Sequence, residues 1–519
     1  MGAAGQTDEP QSPLPPGLLW FERLFRNRWR VLTGIAVFAV LTRASVFGDP
    51  NYHIDESFYF LIGQRLQAGD QLYIDIWDRK PPGLYLVYAL LANISHQFWI
   101  VHLAAGLSAA GTAFVIYRLA QRVANRQGAV LAALCYLALL PKFGGAGGQS
   151  PVFYNLLIAT AALLIAPRSP DPNQAARSLH VEAIAVLCCG IALTLKPTVL
   201  FEATFFGSWL LWSWHRQGML LGPLAKRAGI LALVAALPTL GYFAWYAAEG
   251  HFAILWQSVV SSNLNRQYNP ENLKTYRIAF LAGQLGLPLG TALLATVLPA
   301  RRFLVDAAFR FVLLWALVAL TAVLVFPNVF DHYVLPTLAP LSIVAAPFYG
   351  RRDFGLPTAI VMIAAFLVAG NCLHFSAAQT SRREMEAIVQ LIDADGPGGG
   401  LLVYGAPVSL YTMTATRPPV PLSFPPHLFD RSERDVSPYK TLEQARLALA
   451  AQPAAVIVQD PLLVYDANVD VNRLVAGYIR ECRSRKRMPL QDMYLRFVVD
   501  VYTGCGPHNA ASGPGSTRS

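Results

Sequence analysis

Acidic and basic side chains occur together in one short segment, residues 48–80. Asp55 and Glu56 are adjacent near its start, and Arg79 and Lys80 lie at its end. A carboxylate can take the proton of an attacking hydroxyl, and a cation can stabilise a departing phosphate. Transfer of a group from a phosphate to a hydroxyl needs both. We therefore expect Asp55 to serve as the base and Lys80, with Arg79 beside it, to supply the positive charge.

The local pattern indicates which elements position these residues. An apolar stretch at 31–41 precedes the segment, and residues 57–68 can form an amphipathic helix. Two prolines at 81–82 stop local structure before another apolar stretch, 82–96, which we interpret as a helix in the outer membrane interface. An acid between apolar segments is costly unless it has a partner or a task. The alternative is that the acid pair caps a helix and that Lys80 extends to the interface.

The composition indicates a membrane protein. The chain has 519 residues, of which 54% are hydrophobic and 14% charged, whereas soluble domains are about 25% charged. Apolar stretches of about the length needed to cross a bilayer recur along the chain. We predict an α-helical polytopic protein with about eleven transmembrane helices over residues 28–375, beginning near Val31, Phe98, Gly128, Val152, His180, Thr198, Ala228, Tyr276, Phe309, Tyr333 and Leu356.

The distribution of charge predicts the orientation. With 82–96 left out of the spans, the predicted inner segments hold about twice as many Lys and Arg as the outer loops, as the positive-inside rule requires. The amino terminus is then inside, and the carboxyl-terminal tail and the first outer loop, 48–96, are outside. The net charge of +10 is explained by contacts with an anionic membrane surface, and nucleic acid is not an expected partner.

The tail from residue 376 changes character. Residues 382–392 predict an amphipathic helix, and 401–404, 454–458 and 495–502 predict strands. We expect a small extracytoplasmic α/β domain over 376–507, near the usual size for one core. Cys482 and Cys505 lie in this domain and can form a disulfide if it is extracytoplasmic. The ends, 1–27 and 508–519, read as disordered and flexible.

The first loop also resembles a known family. The string DE-x-x-Y followed by G-x-x-x-Y-x-D-x-x-D-x-KPPG-x-Y is similar to bacterial members of the GT-C superfamily, the aminoarabinose transferases and protein O-mannosyltransferase relatives of glycosyltransferase family 39. The matching residues are Asp55, Glu56, Tyr59, Gly69, Tyr73, Asp75, Asp78, Lys80, Pro81, Pro82, Gly83 and Tyr85. The layout of many spans and an outer carboxyl-terminal domain also agrees with this family.

The resemblance implies a function and roles for these residues. It implies a glycosyltransferase that moves a monosaccharide from a polyprenyl phosphate to an envelope glycan, lipid or protein, with inversion, at the periplasmic face of a bacterial inner membrane. Asp55 would be catalytic, with Glu56 as its partner in positioning or metal contact, and Lys80 would hold the donor phosphate. Tyr59, Asp78 and Tyr85 are expected to contact substrate. Phe58 departs from the pattern, because the aminoarabinose transferases carry an arginine there, which argues against aminoarabinose as the sugar.

Two other positions are weaker candidates. Asp331, His332 and Tyr333 stand at a predicted outer membrane end in a string similar to one found in the superfamily, so His332 and Tyr333 are candidates for donor contact. An interfacial aromatic belt explains them equally well. Lys196, in LKPT between two apolar stretches, is a further candidate for the donor phosphate. The alternative is a lysine that extends to the interface from a tight turn.

Other functional classes and a metal stay open. A transporter or lipid flippase would also need many spans and few charges, and a membrane-anchored assembly factor would use its outer domain to bind partners. Two adjacent carboxylates such as Asp55 and Glu56 suit a divalent metal without requiring one. No His/Cys spacing in the sequence predicts a metal site, and we predict no other cofactor.

Overall fold

The computed structural model describes residues 27–168, 178–265, 271–298, 306–326, 328–395, 399–459, 467–492 and 495–506. Apart from Asn27, the predicted disordered amino terminus lies outside the described residues, as does the predicted tail at 508–519.

The described residues are mostly helical. In chain order the helices are α1 (Arg28–Leu41), α2 (Ile54–Gln67), α3 (Pro82–Ile94), α4 (Trp99–Ala120), α5 (Arg126–Leu139), α6 (Ser150–Ile165), α7 (Leu179–Leu195), α8 (Leu200–Arg216), α9 (Leu221–Ala248), α10 (Phe252–Trp256), α11 (Ser262–Leu264), α12 (Glu271–Gln284), α13 (Gly286–Val297), α14 (Ala307–Val325), α15 (Leu335–Tyr349), α16 (Gly355–Ala369), α17 (Phe375–Asp395), α18 (Ser409–Met413), α19 (Pro425–Phe429), α20 (Thr441–Ala450) and α21 (Val469–Ile479). The strands are β1 (Leu401–Tyr404), β2 (Ala455–Gln459), β3 (Ser484–Gln491) and β4 (Arg496–Thr503).

The polytopic helical architecture is confirmed, and every predicted span coincides with helix. Among the described residues, α4, α9 and α14 are each long and apolar enough to cross a bilayer. A fourth crossing results if α12 and α13, bent by 63°, form one span. At 1.5 Å per residue, the shorter apolar helices such as α6 and α16 fall below the roughly 30 Å of a hydrocarbon core. Helix length alone therefore leaves eleven crossings a prediction.

The residues divide into two compact units. The first comprises the described parts of Met1–Phe47, His102–Gly241 and Pro270–His374. Its core is a continuous apolar cluster, and α15, which is buried along most of its length, packs against α5, α13 and α14. Gly128 of α5 is required at this packing, because any side chain there would collide with the carbonyl oxygen of Ala346 on α15.

The second unit joins three parts of the chain: Gly48–Val101, Tyr242–Asn269 and Phe375–Ser519, as far as they are described. It contains a four-stranded sheet in the order β1-β2-β4-β3. Strands β1 and β2 are parallel, while β4 is antiparallel to both β2 and β3. The first loop, with α2 and α3, thus belongs to the same unit as the carboxyl-terminal α/β segment.

The predicted strands are confirmed, but β3 was missed. Its sequence, SRKRMPLQ, lacks the apolar alternation of a half-buried strand, because β3 lies at the sheet edge and Arg485, Lys486 and Arg487 are exposed. Charged residues and proline are common on such edges. Beyond the ends of this β3–β4 hairpin, Cys482 and Cys505 form the predicted disulfide.

Candidate functional site

The acid pair lies in the first turn of α2. His53 caps this helix, its Nδ1 accepting a hydrogen bond from the backbone N–H of Asp55 at 3.2 Å. Asp55 is half-buried, whereas Glu56 is fully buried. A helix amino terminus favours negative charge. Because successive helix residues point about 100° apart, the two carboxylates lie on different sides of α2. A divalent metal beside Asp55 and Glu56 stays open, as it was from the sequence.

A layer of tyrosines connects α2 to α3. Tyr59 follows Asp55 by one helical turn and therefore lies on the same face of α2. Its ring meets those of Tyr85 and Tyr88 from α3 nearly edge-on, with centroids 6.2 and 5.5 Å away. The helices can approach this closely because of Gly63, where a Cβ atom would come within 2.5 Å of the Tyr88 backbone. Burial raises the pKa of Tyr88, and the nearby charges of Glu56 and Asp55 raise this pKa further.

Asp78 is the centre of a buried polar cluster. Its Oδ2 accepts hydrogen bonds from the hydroxyl of Tyr85 at 2.5 Å and from Nζ of Lys80 at 3.2 Å. Nε2 of His427 is 4.0 Å from Oδ1. Burial raises the pKa of Asp78, but electrostatic interactions with Lys80, His427 and Arg79 and the hydrogen bond from Tyr85 outweigh it, so this pKa lies below its usual value. Asp78 is therefore an ionised internal partner for the cations around it.

The ammonium group of Lys80 is held on two sides. Besides its contact with Asp78, it lies 4.7 Å from the ring centroid of Tyr59, a cation–π distance. The side chain keeps 22% of its surface exposed. Through Tyr59, the Lys80 cation is thus held against the face of α2 that also carries Asp55.

Arg79 points elsewhere. Its guanidinium makes a buried ion pair with Glu433 in the carboxyl-terminal segment, and its carbonyl oxygen accepts a hydrogen bond from Nδ2 of Asn263 at 3.2 Å. The neighbouring indole of Trp77 donates to Ser258 Oγ at 2.9 Å. These contacts fasten the loop to two distant segments of the same unit. Sequence reasoning missed Glu433, since no local pattern reports a partner 354 residues away.

The turn before this cluster has a strained backbone. Tyr73 is fully buried and has a φ of 71°, which is unfavourable for a residue with a side chain. Its hydroxyl donates to the carbonyl oxygen of Lys80 at 2.7 Å, and its own carbonyl accepts from the Tyr439 hydroxyl at 2.8 Å. Such strain persists only where the surroundings over-determine the conformation. Tyr73 therefore fixes the backbone that presents Lys80.

The remaining predicted site residues belong to the first unit. The ammonium of Lys196 lies 4.6 Å from the ring centroid of Tyr333. Both residues line a small cavity of about 20 Å³, room for roughly one water molecule. His332 stacks on Phe330, with ring centroids 5.8 Å apart.

This cavity also contains an acid that the sequence reasoning did not select. Glu202 of α8 lines the cavity together with Tyr154 and Thr198. It is buried, and its Oε1 accepts a hydrogen bond from the indole N–H of Trp315 at 2.8 Å. The signal was present in the sequence, because an ionisable residue inside an apolar segment marks a candidate functional position.

This chain matches known proteins by structure and not by sequence. No protein-family model matches it, and no curated protein matches its sequence. The aminoarabinose transferase ArnT from Cupriavidus metallidurans superimposes in its apo state with a TM-score of 0.60 at 15% identity, covering 91% of this chain and 97% of ArnT. The chain has the GT-C fold.

Two more structures with the GT-C fold were matched. ArnT from Cupriavidus metallidurans bound to undecaprenyl phosphate gives a TM-score of 0.58 at 14% identity, with the same coverage of 91% and 97%. The apo oligosaccharyltransferase of Archaeoglobus fulgidus gives 0.47 at 12% identity, over 84% of this chain and 70% of that one. The two ArnT superpositions confirm the fold implied by the first-loop motif.

Proposed function

We propose that this GT-C protein is an inverting glycosyltransferase that moves a monosaccharide from a polyprenyl phosphate to an acceptor hydroxyl. The observation that carries the proposal is that Tyr59, one turn after Asp55 on α2, contacts the ammonium group of Lys80, in a chain whose fold matches a protein crystallised with undecaprenyl phosphate. The acceptor is an envelope glycan, lipid or protein, and the reaction takes place at the periplasmic face of a bacterial inner membrane.

The reaction is a single displacement at the anomeric carbon. Asp55 accepts the proton of the acceptor hydroxyl. At the same time the oxygen of that hydroxyl forms the new glycosidic bond to the anomeric carbon. The bond from the anomeric carbon to the phosphate oxygen breaks, and its electron pair leaves with the lipid phosphate. Lys80 stabilises the negative charge that develops there. Attack from the side opposite the leaving group inverts the configuration.

The other residues prepare this arrangement. Asp78 holds Lys80 in place by a direct hydrogen bond and is itself fixed by the Tyr85 hydroxyl, while the Tyr59 ring supports the Lys80 ammonium group. We assign Arg79 to positioning the loop, because its guanidinium is bound by Glu433.

The first unit supplies the remaining assignments. We propose Lys196 as a phosphate ligand within the first unit, with Tyr333 beneath its ammonium group, and His332 as a sugar contact. Glu56, which is fully buried beside the base, positions the start of α2.

Reconstitution tests the function directly. Purified protein in lipid nanodiscs is incubated with synthetic polyprenyl phosphate sugars and envelope glycolipids, and the products are identified by mass spectrometry. Transfer with inverted anomeric configuration supports the proposal. Repeating the reaction with a chelator tests whether transfer requires a divalent metal. Movement of the intact lipid-linked sugar across sealed vesicles, with no glycosylated product, would instead identify a flippase.

A further inference from the structure

A cleft of about 390 Å³ opens in the second unit, apart from the Asp78 cluster. One wall is the turn at Ile74 and Asp75, and another is the proline segment Arg417–Pro421, with Gly400, Leu401, Ala451 and Pro453 completing the lining. The volume is within the range of small-molecule sites. No residue of this cleft takes part in the chemistry proposed above.

The charges at the cleft are balanced. Arg417 reaches the carboxylates of Asp75 at 3.4 Å and Asp70 at 3.1 Å. Arg65 contacts Asp70 through two hydrogen bonds, at 2.7 and 2.9 Å. Two carboxylates thus face two guanidinium groups, and the cluster has no excess charge to attract an anion or a cation. Asp75 and Arg417 remain 36% and 59% exposed, so both can still bind a polar ligand.

The proline wall sets a second requirement. Pro418, Pro419 and Pro421 have no backbone N–H, so this wall offers carbonyl acceptors and apolar ring surface. A phosphate, which needs donors, is poorly matched to it, and so is an extended peptide, whose carbonyl groups would find few partners. A sugar fits better, because its hydroxyls donate to acceptors while its C–H face covers apolar side chains such as Ile74 and Val420.

We propose that this cleft is a binding subsite for a neutral saccharide, which extends the proposed function by making the acceptor a glycan or glycolipid. Asp75 accepts and Arg417 donates hydrogen bonds to sugar hydroxyls. Ile74 and Asp75 of the cleft belong to the loop that carries Lys80, and in the same loop the N–H of Trp77 donates to the carbonyl oxygen of Pro421 at 3.0 Å. A saccharide in the cleft therefore lies against the same loop that carries Lys80.

Binding without donor substrate tests this subsite separately from catalysis. The probe is dephosphorylated, deacylated lipopolysaccharide core oligosaccharide, titrated into the purified full-length protein and followed by saturation-transfer NMR. Ala451→Trp places a large side chain in the cleft, at an exposed position. Ala450→Trp is the matched control, because Ala450 is the exposed preceding residue and does not line the cleft. Arg417→Ala removes the guanidinium from the cleft.

We expect Ala451→Trp to abolish saturation transfer and Ala450→Trp to leave it unchanged. Arg417→Ala should raise the dissociation constant about tenfold, the effect of one lost charge-assisted hydrogen bond. Equal behaviour of the two tryptophan variants would overturn the assignment, as would preferential binding of a peptide or of the phosphorylated oligosaccharide.

A transfer assay separates this inference from the proposed function. If the subsite is correct, Ala451→Trp raises the KM for the glycan acceptor and leaves the KM for the lipid donor unchanged. Transfer with an unaltered acceptor KM in Ala451→Trp refutes the subsite alone. Specific oligosaccharide binding by a protein that transfers no sugar refutes the proposed reaction alone.

Discussion

The substitution Asp78→Asn tests how the cation at the site is held. Asparagine keeps the shape of the side chain and an oxygen that can accept from the Tyr85 hydroxyl, but it removes the charge that faces Lys80 at 3.2 Å. Lys80 would keep its contact with the Tyr59 ring and lose its buried counter-ion. We expect the variant to insert in the membrane, to melt at a lower temperature and to bind donor less tightly.

The magnitude follows from the geometry. Two unit charges 3.2 Å apart attract each other by about 5 kcal/mol at an effective dielectric constant of about 20. Side-chain exposure is 3% for Asp78 and 22% for Lys80, so solvent screens the pair only partly, while the cost of desolvating both ions offsets much of the attraction. We therefore expect Asp78→Asn to lose about 2 kcal/mol of stabilisation, which is consistent with hydrogen bonds to charged groups. If the transition state loses this stabilisation relative to the free enzyme and substrate, kcat/KM decreases about 30-fold.

Thermal unfolding in detergent and steady-state transfer kinetics measure this effect. Asp393→Asn is the control, since Asp393 is an exposed aspartate of α17 in the same unit. The control should unfold and react like the wild type. An Asp78→Asn protein with wild-type melting temperature and donor KM would show that the Asp78–Lys80 contact does not organise the site.

Three further predictions concern the same unit. Lys80→Met should lower kcat by about 10²–10³, as expected for removing one donor that stabilises a developing oxyanion, with partial recovery in Lys80→Arg; equal kcat in both variants would contradict this role. Because the pKa of Asp78 is depressed, its contribution to stability is complete above its unfolded pKa of about 3.9 and is lost as the pH falls through the folded pKa; acid unfolding should therefore depend less on pH in Asp78→Asn. Replacing Cys482 and Cys505 by serine should destabilise the carboxyl-terminal segment by about 3 kcal/mol, given their separation of 23 residues, and an unchanged urea midpoint for the unfolding of that segment would refute this.

The helical architecture and the candidate catalytic residues of the first loop were predictable, because both depend on residues that are close together in the sequence. Apolar runs of suitable length gave the helices, and the acid pair, the prolines and the lysine gave the candidate chemistry. The partners of these residues were not predictable. Arg79 is held by Glu433, and Asp78 approaches His427, both contributed by a segment more than 300 residues away.

Strand β3 and the cleft were not predicted from the sequence, for different reasons. Strand β3 carries exposed charges in place of alternating apolar residues, so its pattern resembles a loop. The cleft beside Asp75 arises where a turn, a proline segment, the start of β1 and the connection between α20 and β2 meet. Only the tertiary arrangement brings these pieces together.

The proposed reaction depends on Asp55 as the base, and one comparison of two proteins is its test. Purified wild type and Asp55→Asn, reconstituted in nanodiscs, are compared for binding of undecaprenyl phosphate and for sugar transfer from a polyprenyl phosphate donor. We predict that the variant binds the lipid phosphate with wild-type affinity and transfers no sugar. Transfer at the wild-type rate by Asp55→Asn would show that Asp55 is not the base.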